Sequence, residues 1–303
     1  MKYFLKLAGL GSFPIHDIDK HVFDEIKYAR TVLNNSLEIE ARFDLLISNY
    51  LELENELLTH AANAMVRSEY EYADAYRVQL SFNRRLVNLL STSRMYVDHL
   101  NQFVIVKGLP REDAQSKFKQ FLSREYDDKL EYRFMDQLRN HVQHRGLPVH
   151  WIQYNHSSEN ENHKSNRFVS MEMAFRKADL GDKHKFKKSV YKEIADVVDL
   201  KLSARVFVES LGKVHGKVRK LMKGTIEEAK SVYEKAIKSY NEIQPGGVLG
   251  LNAFHTKDDL VVDKIPIFLN WEDVRSKLAD RNREVKGLGI SFVTSRVSKK
   301  PLG

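Results

Sequence analysis

The sequence contains no cysteine. That absence excludes disulfides, thiolate catalysis and cysteine-ligated zinc. It is compatible with the cytoplasm, the location expected for this chain. Glycine and proline are scarce, with 14 and 6 in 303 residues, which favours long uninterrupted elements over a turn-rich all-β architecture. No stretch reaches the roughly 18 apolar residues that a spanning helix needs, so no membrane association is expected. The N-terminal "MKYFLKLAGLGSF" imitates a signal peptide, but Lys6 cuts its apolar run and no small-residue cleavage site follows. Export by that route is not expected.

What is present describes an ordinary globular chain, long enough for one large domain or two modest ones. Hydrophobic residues make up 42% and charged residues 30%, which suits a protein with a sizeable core. Basic residues outnumber acidic ones 49 to 41, giving a net charge of +8. Such an excess favours polyanions such as RNA, DNA or an anionic membrane surface as partners. A generally basic but indifferent surface explains it equally well.

Residues 1–20 read as a short strand or extended segment and a turn, and the helical signal begins near Asp19. "SLEIEARFDLLISNYLELENELLTHAANAMV" (36–66) places Ile39, Phe43, Leu46, Ile47, Tyr50, Leu53, Leu57 and Leu58 on one stripe, with Ser36 as a plausible N-cap. A second long helix runs from about Tyr70 to Val106, with Tyr76, Leu80, Leu86, Leu89 and Leu90 in its stripe; "KGLPRED" ends it. Shorter helices follow at about 113–126 and 130–145. Two strands, "VHWIQY" and "FVSMEMAF", flank the polar "NHSSENENHKSNR" (155–167), which suggests a hairpin with a solvated loop. Further helices are expected at about 183–198, 201–242 and 271–283, with a short strand in "LVVDKIPIFLN". The terminal "VKGLGISFVTSRVSKKPLG" is expected to be partly flexible.

One stretch is chemically dense. "MDQLRNHVQHRGLPVH" (135–150) ends a helix with Arg139, Asn140, His141 and His144. On a helix Asn140 and His144 share a face with His141 beside them, while Arg139 points about 140° from His144. Three readings compete. Cationic side chains in a last turn complement the helix dipole and need no other reason. A metal could use His141 and His144 with His150, His156 or His163, but the three-residue spacing and the lack of a carboxylate in register count against it. In the third reading, an imidazole exchanges protons near neutral pH and a guanidinium grips a phosphate, which suffices for metal-free RNA cleavage.

"RNHVQH" (139–144) resembles the R-x4-6-H motif of HEPN domains, in which a polar residue, often Asn, follows the Arg. Its place late in a run of four helices also matches, and the resemblance covers residues 36–150. The expected fold is mostly α: a HEPN-like antiparallel helical bundle (36–150), as the resemblance implies, with an N-terminal segment (1–35) before it and, from the residue pattern, a β-hairpin insertion (151–180) and a C-terminal helical extension packed on the bundle (181–303) after it. The resemblance further implies a metal-independent endoribonuclease without cofactors, leaving 2′,3′-cyclic phosphate ends. That enzyme would be a homodimer with a composite active site, working in phage defence or as a toxin, with a separate antitoxin or activator. Arg139 would bind the scissile phosphate, His144 would act as general base or acid, Asn140 would orient the site and His141 would support it. One toxin subgroup carries a modifiable Tyr two residues after the motif His; here Gly146 stands there, so the likeness does not extend to control by that route. The alternative is a non-catalytic HEPN-like module for RNA binding or protein assembly.

Two other basic stretches could contact an RNA backbone. Arg84, Arg85 and Arg94 lie on the second long helix, and Lys213, Lys217, Arg219, Lys220 and Lys223 lie in "KVHGKVRKLMKG". Solvated faces flanking an apolar stripe account for both sets as readily.

Overall fold

A computed structural model describes residues 1–9, 11–67, 71–161, 164–180, 186–247 and 249–293. The protein is mostly helical, with two small antiparallel sheets among the described residues. In order these are β1 (Lys2–Leu7), β2 (His16–Ile18), α1 (Lys20–Val66), α2 (Tyr72–Phe103), α3 (Arg111–Asp128), α4 (Leu130–His144), β3 (Trp151–Glu161) and β4 (Lys164–Arg176). Then follow α5 (Lys188–Glu193), β5 (Val197–Asp199), α6 (Leu200–Ile243), β6 (Leu251–Lys257), β7 (Leu260–Pro266) and α7 (Asn270–Arg281). Among the described residues no helix is long and apolar enough to cross a membrane.

The chain forms two compact units, each assembled from separated stretches. The first comprises Met1–Leu51, Asn88–Arg124 and Val214–Arg283; the second comprises Glu52–Val87, Glu125–Lys213 and Glu284–Gly303.

In the first unit, α1 starts at Lys20, where the helical signal begins near Asp19, and runs through Ser36 without a break. Asp19 caps it, its Oδ1 accepting the Val22 N–H at 2.8 Å. Ser36 instead sits inside the helix, buried, and returns its hydroxyl to the Leu33 carbonyl at 2.8 Å. The sheet runs β2-β1-β6-β7. Strand β6, "LNAFHTK", carries no strong local signal; β1 pairs with it from Lys2↔Thr256 to Leu7↔Leu251, so the pairing is set across the whole chain. Asp258 and Asp259, both at positive φ (52° and 63°), make the two-residue turn into β7. Gly250 is needed where β6 begins: its φ is 84° and a Cβ would stand 2.9 Å from the Ala8 carbonyl oxygen. Leu5, Leu7, Ala253 and Ile265 of the sheet share one core with Phe23, Ile26 and Ala29 of α1 and Ala229, Tyr233 and Tyr240 of α6.

That unit also buries a polar cluster. Glu40 on α1 is 3% exposed and His215 on α6 is 1% exposed. His215 Nε2 donates to Glu40 Oε2 at 3.1 Å, and the Tyr96 hydroxyl of α2 donates to His215 Nδ1 at 2.8 Å. Arg219 grips the Glu40 carboxylate with Nε at 2.8 Å and Nη2 at 2.5 Å, while its Nη1 donates to the Asn282 carbonyl. Phe43 stacks on the imidazole at 3.8 Å. Burial pushes the Glu40 carboxyl up, but the hydrogen bonds from Arg219 and His215 and the Arg219 charge outweigh it and hold the group at about 2. Burial pushes His215 below its ordinary value and prevails over the opposing pull of Glu40, so the ring is neutral at physiological pH.

In the second unit, the hairpin is longer than the sequence suggests. Strands β3 and β4 pair from Trp151↔Ala174 to Glu161↔Lys164, so most of the polar stretch expected as loop is strand. A backbone ladder does not require apolar side chains, which is why composition concealed it. His163 lies outside the described residues. Of the helix expected at 183–198, residues 183–185 lie outside the described residues; in the remainder the helix is Lys188–Glu193, and Val197–Asp199 adds to β4 as a third strand. Asp199 then caps α6, accepting the Lys201 and Leu202 N–H groups at 2.8 and 3.0 Å.

The Glu40 cluster predicts acid sensitivity of a definite sign. Both groups have folded pKa values below their unfolded ones, so their stabilisation is present at higher pH and lost as pH falls. The loss begins below 6.5 through His215 and continues between 4.5 and about 2 through Glu40. Glu40→Ala, which leaves Arg219 and His215 without their partner, should cost ~3–5 kcal/mol in urea denaturation at neutral pH and flatten the lower limb of the profile. An unchanged midpoint would contradict the assignment.

Candidate site at the end of α4

Helix α4 buries Phe134, Met135, Leu138 and His141, the three-and-four spacing of one face. His141 is therefore on the apolar stripe. Its ring meets Phe175 edge-on at 6.2 Å and Phe186 at 5.9 Å. Arg139 and Asn140 lie half-buried on the flanks, and Arg139 Nη1 donates to Asn140 Oδ1. His144, one turn beyond His141, is exposed at the last helical position. The arrangement keeps Arg139 and Asn140 together and leaves His144 open to solvent.

Beyond the helix the chain turns sharply back. The Arg145 and Gly146 N–H groups both donate to the His141 carbonyl, at 2.8 and 3.4 Å. Gly146 packs against the His141 ring; a Cβ there would lie 3.4 Å from Nε2. Asn83 of α2 then clamps Val149, accepting its N–H at 2.8 Å and donating to its carbonyl at 3.3 Å. His150 lies over Phe175 at 4.7 Å, with Nε2 donating to the Leu147 carbonyl and Nδ1 accepting the Arg176 N–H, each at 3.1 Å. His150 is thus a fixed wall and not a free base.

These turns enclose a cleft of about 530 Å³ lined by His141, Arg145, Leu147 and His150. Its mouth holds Tyr76 and Leu80, which the sequence placed in the buried stripe of α2 but which are 52% and 41% exposed. Arg139, Asn140 and His144 do not line this cleft. Sequence reasoning overlooked Arg145 and treated His150 only as a possible ligand. The "RGLPVH" turn was the available signal, since a Gly-x-Pro reversal brings residues beyond a helix back beside its end.

The other candidate cations fall in both units. In the second, Arg84 is exposed, Arg85 is held by Glu52 and Glu56, and Lys213 pairs with Glu209 at 2.9 Å. In the first, Arg94 pairs with Asp98 at 2.7 Å and Lys217 lies over the Phe121 ring at 5.5 Å. Arg219 is committed to Glu40, whereas Lys220 and Lys223 stand exposed. A carboxylate partner already neutralises several of the charges that the sequence offered to phosphates.

No protein-family model, curated protein or solved structure matches the chain.

Phe175 is fully buried and touches Phe134, His141, His150 and Phe186. Phe175→Ala should lower unfolding free energy by ~3–5 kcal/mol and loosen both imidazoles. A loss below about 1 kcal/mol would show that this ring does not organise the helix end.

Proposed function

We propose that the chain is a metal-independent endoribonuclease of the HEPN type whose active groups are Arg139, Asn140 and His144. The observation that supports this reading is the Arg139–Asn140 hydrogen bond one turn before an exposed His144 on the same helix end. Asn140 accepts from one of the five guanidinium N–H groups, and Arg139 would turn its fork to a phosphate when RNA is bound. His144 is open to solvent and can approach a phosphodiester.

The reaction needs a base, an acid and charge stabilisation. A base takes the proton of the ribose 2′-OH; that oxygen attacks the adjacent phosphorus; the bond to the 5′-oxygen breaks, and that oxygen leaves with a proton from an acid. The products are a 2′,3′-cyclic phosphate and a 5′-hydroxyl. Arg139 would stabilise the added phosphate charge. Each copy offers one exposed motif His, so a homodimer that opposes two α4 ends would supply both base and acid. His141, on the buried stripe, would support the helix end and not touch RNA. A defence or toxin role, held in check by a separate partner, belongs to the same proposal by family analogy.

A non-catalytic RNA-binding module has one observation in its favour: the cleft beside α4 is walled by fixed groups and not by Arg139, Asn140 or His144. Incubation with total RNA and tRNA in EDTA separates the two. The proposal expects cleavage by the parent and a loss of at least ~10²-fold in Arg139→Ala and in His144→Ala, with circular dichroism unchanged. Equal rates in parent and variants would sink it; salt-sensitive binding without cleavage by the parent would favour the module.

A further inference from the structure

The first unit holds a cavity that the α4 site does not use. Its volume is about 450 Å³, within the range of small-ligand sites. The floor is apolar, formed by Ile39 of α1 and Val218, Met222 and Ile226 of α6. The lining also includes the Glu40–Arg219 pair and Arg275 of α7, which is bonded to Glu272 at 2.7 and 2.6 Å. The rim carries Lys220, Lys223 and Lys230.

The charges are unevenly committed. Glu40 is held by Arg219 and His215, and Glu272 by Arg275. Glu227 meets Lys223 only at 3.8 Å, and both are largely exposed. Lys230 likewise meets Glu234 only at 3.7 Å, and both are half-exposed; at such separations the lysine row still presents positive charge beside the apolar lining. Lys220, Lys223 and Lys230 recur on one face of α6 and extend about 15 Å along it by the helical rise. Arg219 does not have to be ordered on binding, because its Nε, Nη1 and Nη2 are already bonded.

Helix α7 supplies an independent observation. None of its residues is buried. It is fastened at its end by polar contacts, Arg281 to Asp44 at 2.6 Å and Asn282 Nδ2 to Asp44 Oδ1 at 2.7 Å. A helix of twelve residues ordinarily packs an apolar stripe, but here the space beside Arg275 and Ser276 is the cavity. A ligand seated there would add contacts to the Glu272–Arg275 side of α7, whose side chains are already only 11% and 18% exposed.

We propose that this cavity binds a small amphipathic phosphomonoester, with its apolar body on the Ile39–Met222–Ile226 floor and its phosphate at the Lys220–Lys223 rim. The body has two chemical sources, an aromatic base or an alkyl chain, and two probes distinguish them. Adenosine monophosphate and octyl phosphate would be titrated by calorimetry into the full-length protein, with adenosine and inorganic phosphate as half-ligand controls. The proposal expects saturable binding of at least one phosphomonoester below about 1 mM, and weaker binding of both halves. It also expects slower amide exchange in residues 270–281 on binding. The double variant Lys220→Glu with Lys223→Glu changes only exposed side chains and should weaken binding by at least about ten-fold, since each 1.4 kcal/mol is ten-fold. Binding of one probe alone identifies the body. Failure of both probes, or binding indifferent to the double variant, would overturn the assignment. The outcome is independent of whether the α4 end cleaves RNA.

Discussion

A helix that buries one stripe must also bury whatever polar residue the 3.6-residue period places on that stripe. The long helices of this protein obey that constraint throughout. Glu40 falls among Phe43, Leu46 and Tyr50 on α1, and His215 falls among Leu211, Val214 and Val218 on α6. Neither could be left unpaired, because an isolated buried charge is far costlier than the same charge held by hydrogen bonds. The Glu40–His215–Tyr96 chain, closed by Arg219, answers that demand, and it consumes a cation that the sequence seemed to offer to a phosphate backbone. The same period places His141 on the buried face of α4 and carries His144 past the end of it. One imidazole is therefore packing and the next is available.

That distinction organises the second unit. Phe175 of β4 packs against α4 and bears on both His141 and His150, so the strand register fixes the helix end. The turn after α4 is secured by Gly146 against His141 and by Asn83 against Val149, contacts that leave little freedom to the surrounding backbone. Against this rigid background, Arg139 and Asn140 hold each other on one flank and His144 faces water. The dipole of α4 by itself favours cationic side chains at its last turn, so their presence alone does not argue for chemistry. The argument for chemistry rests on their types and order.

Much of the helical framework was legible in the sequence, because stripes such as Ile39–Phe43–Leu46–Tyr50 and Val214–Val218–Thr225–Ala229 are local patterns. The onset of α1 near Asp19 was legible, but Ser36 fits the capping rule by type while lying inside the helix, and Asp19 is the residue that caps it. Tyr76 and Leu80 matched the stripe of α2 but lie where the cleft opens, and periodicity cannot register a missing neighbour. Sheet pairing was the least legible feature. One partner of β1, the strand β6, lies more than two hundred residues away, and the far half of the long hairpin is polar in sequence, so no alternation of apolar residues announces its ladder. At the candidate site, the motif residues were visible as a cluster. The fixed roles of His141 and His150 and the cleft they wall depend on Phe175, Asn83 and Gly146, which no local pattern connects to them.

The central claim is that the α4 end cleaves RNA through attack by the neighbouring 2′-hydroxyl. The most direct test replaces that single hydroxyl with hydrogen in an oligonucleotide carrying one mapped cleavage position. The account predicts that the cut at that position disappears while cuts elsewhere in the same strand and the binding of the strand persist. Continued cleavage at the deoxy position would contradict it, since the attacking oxygen would then have to come from water.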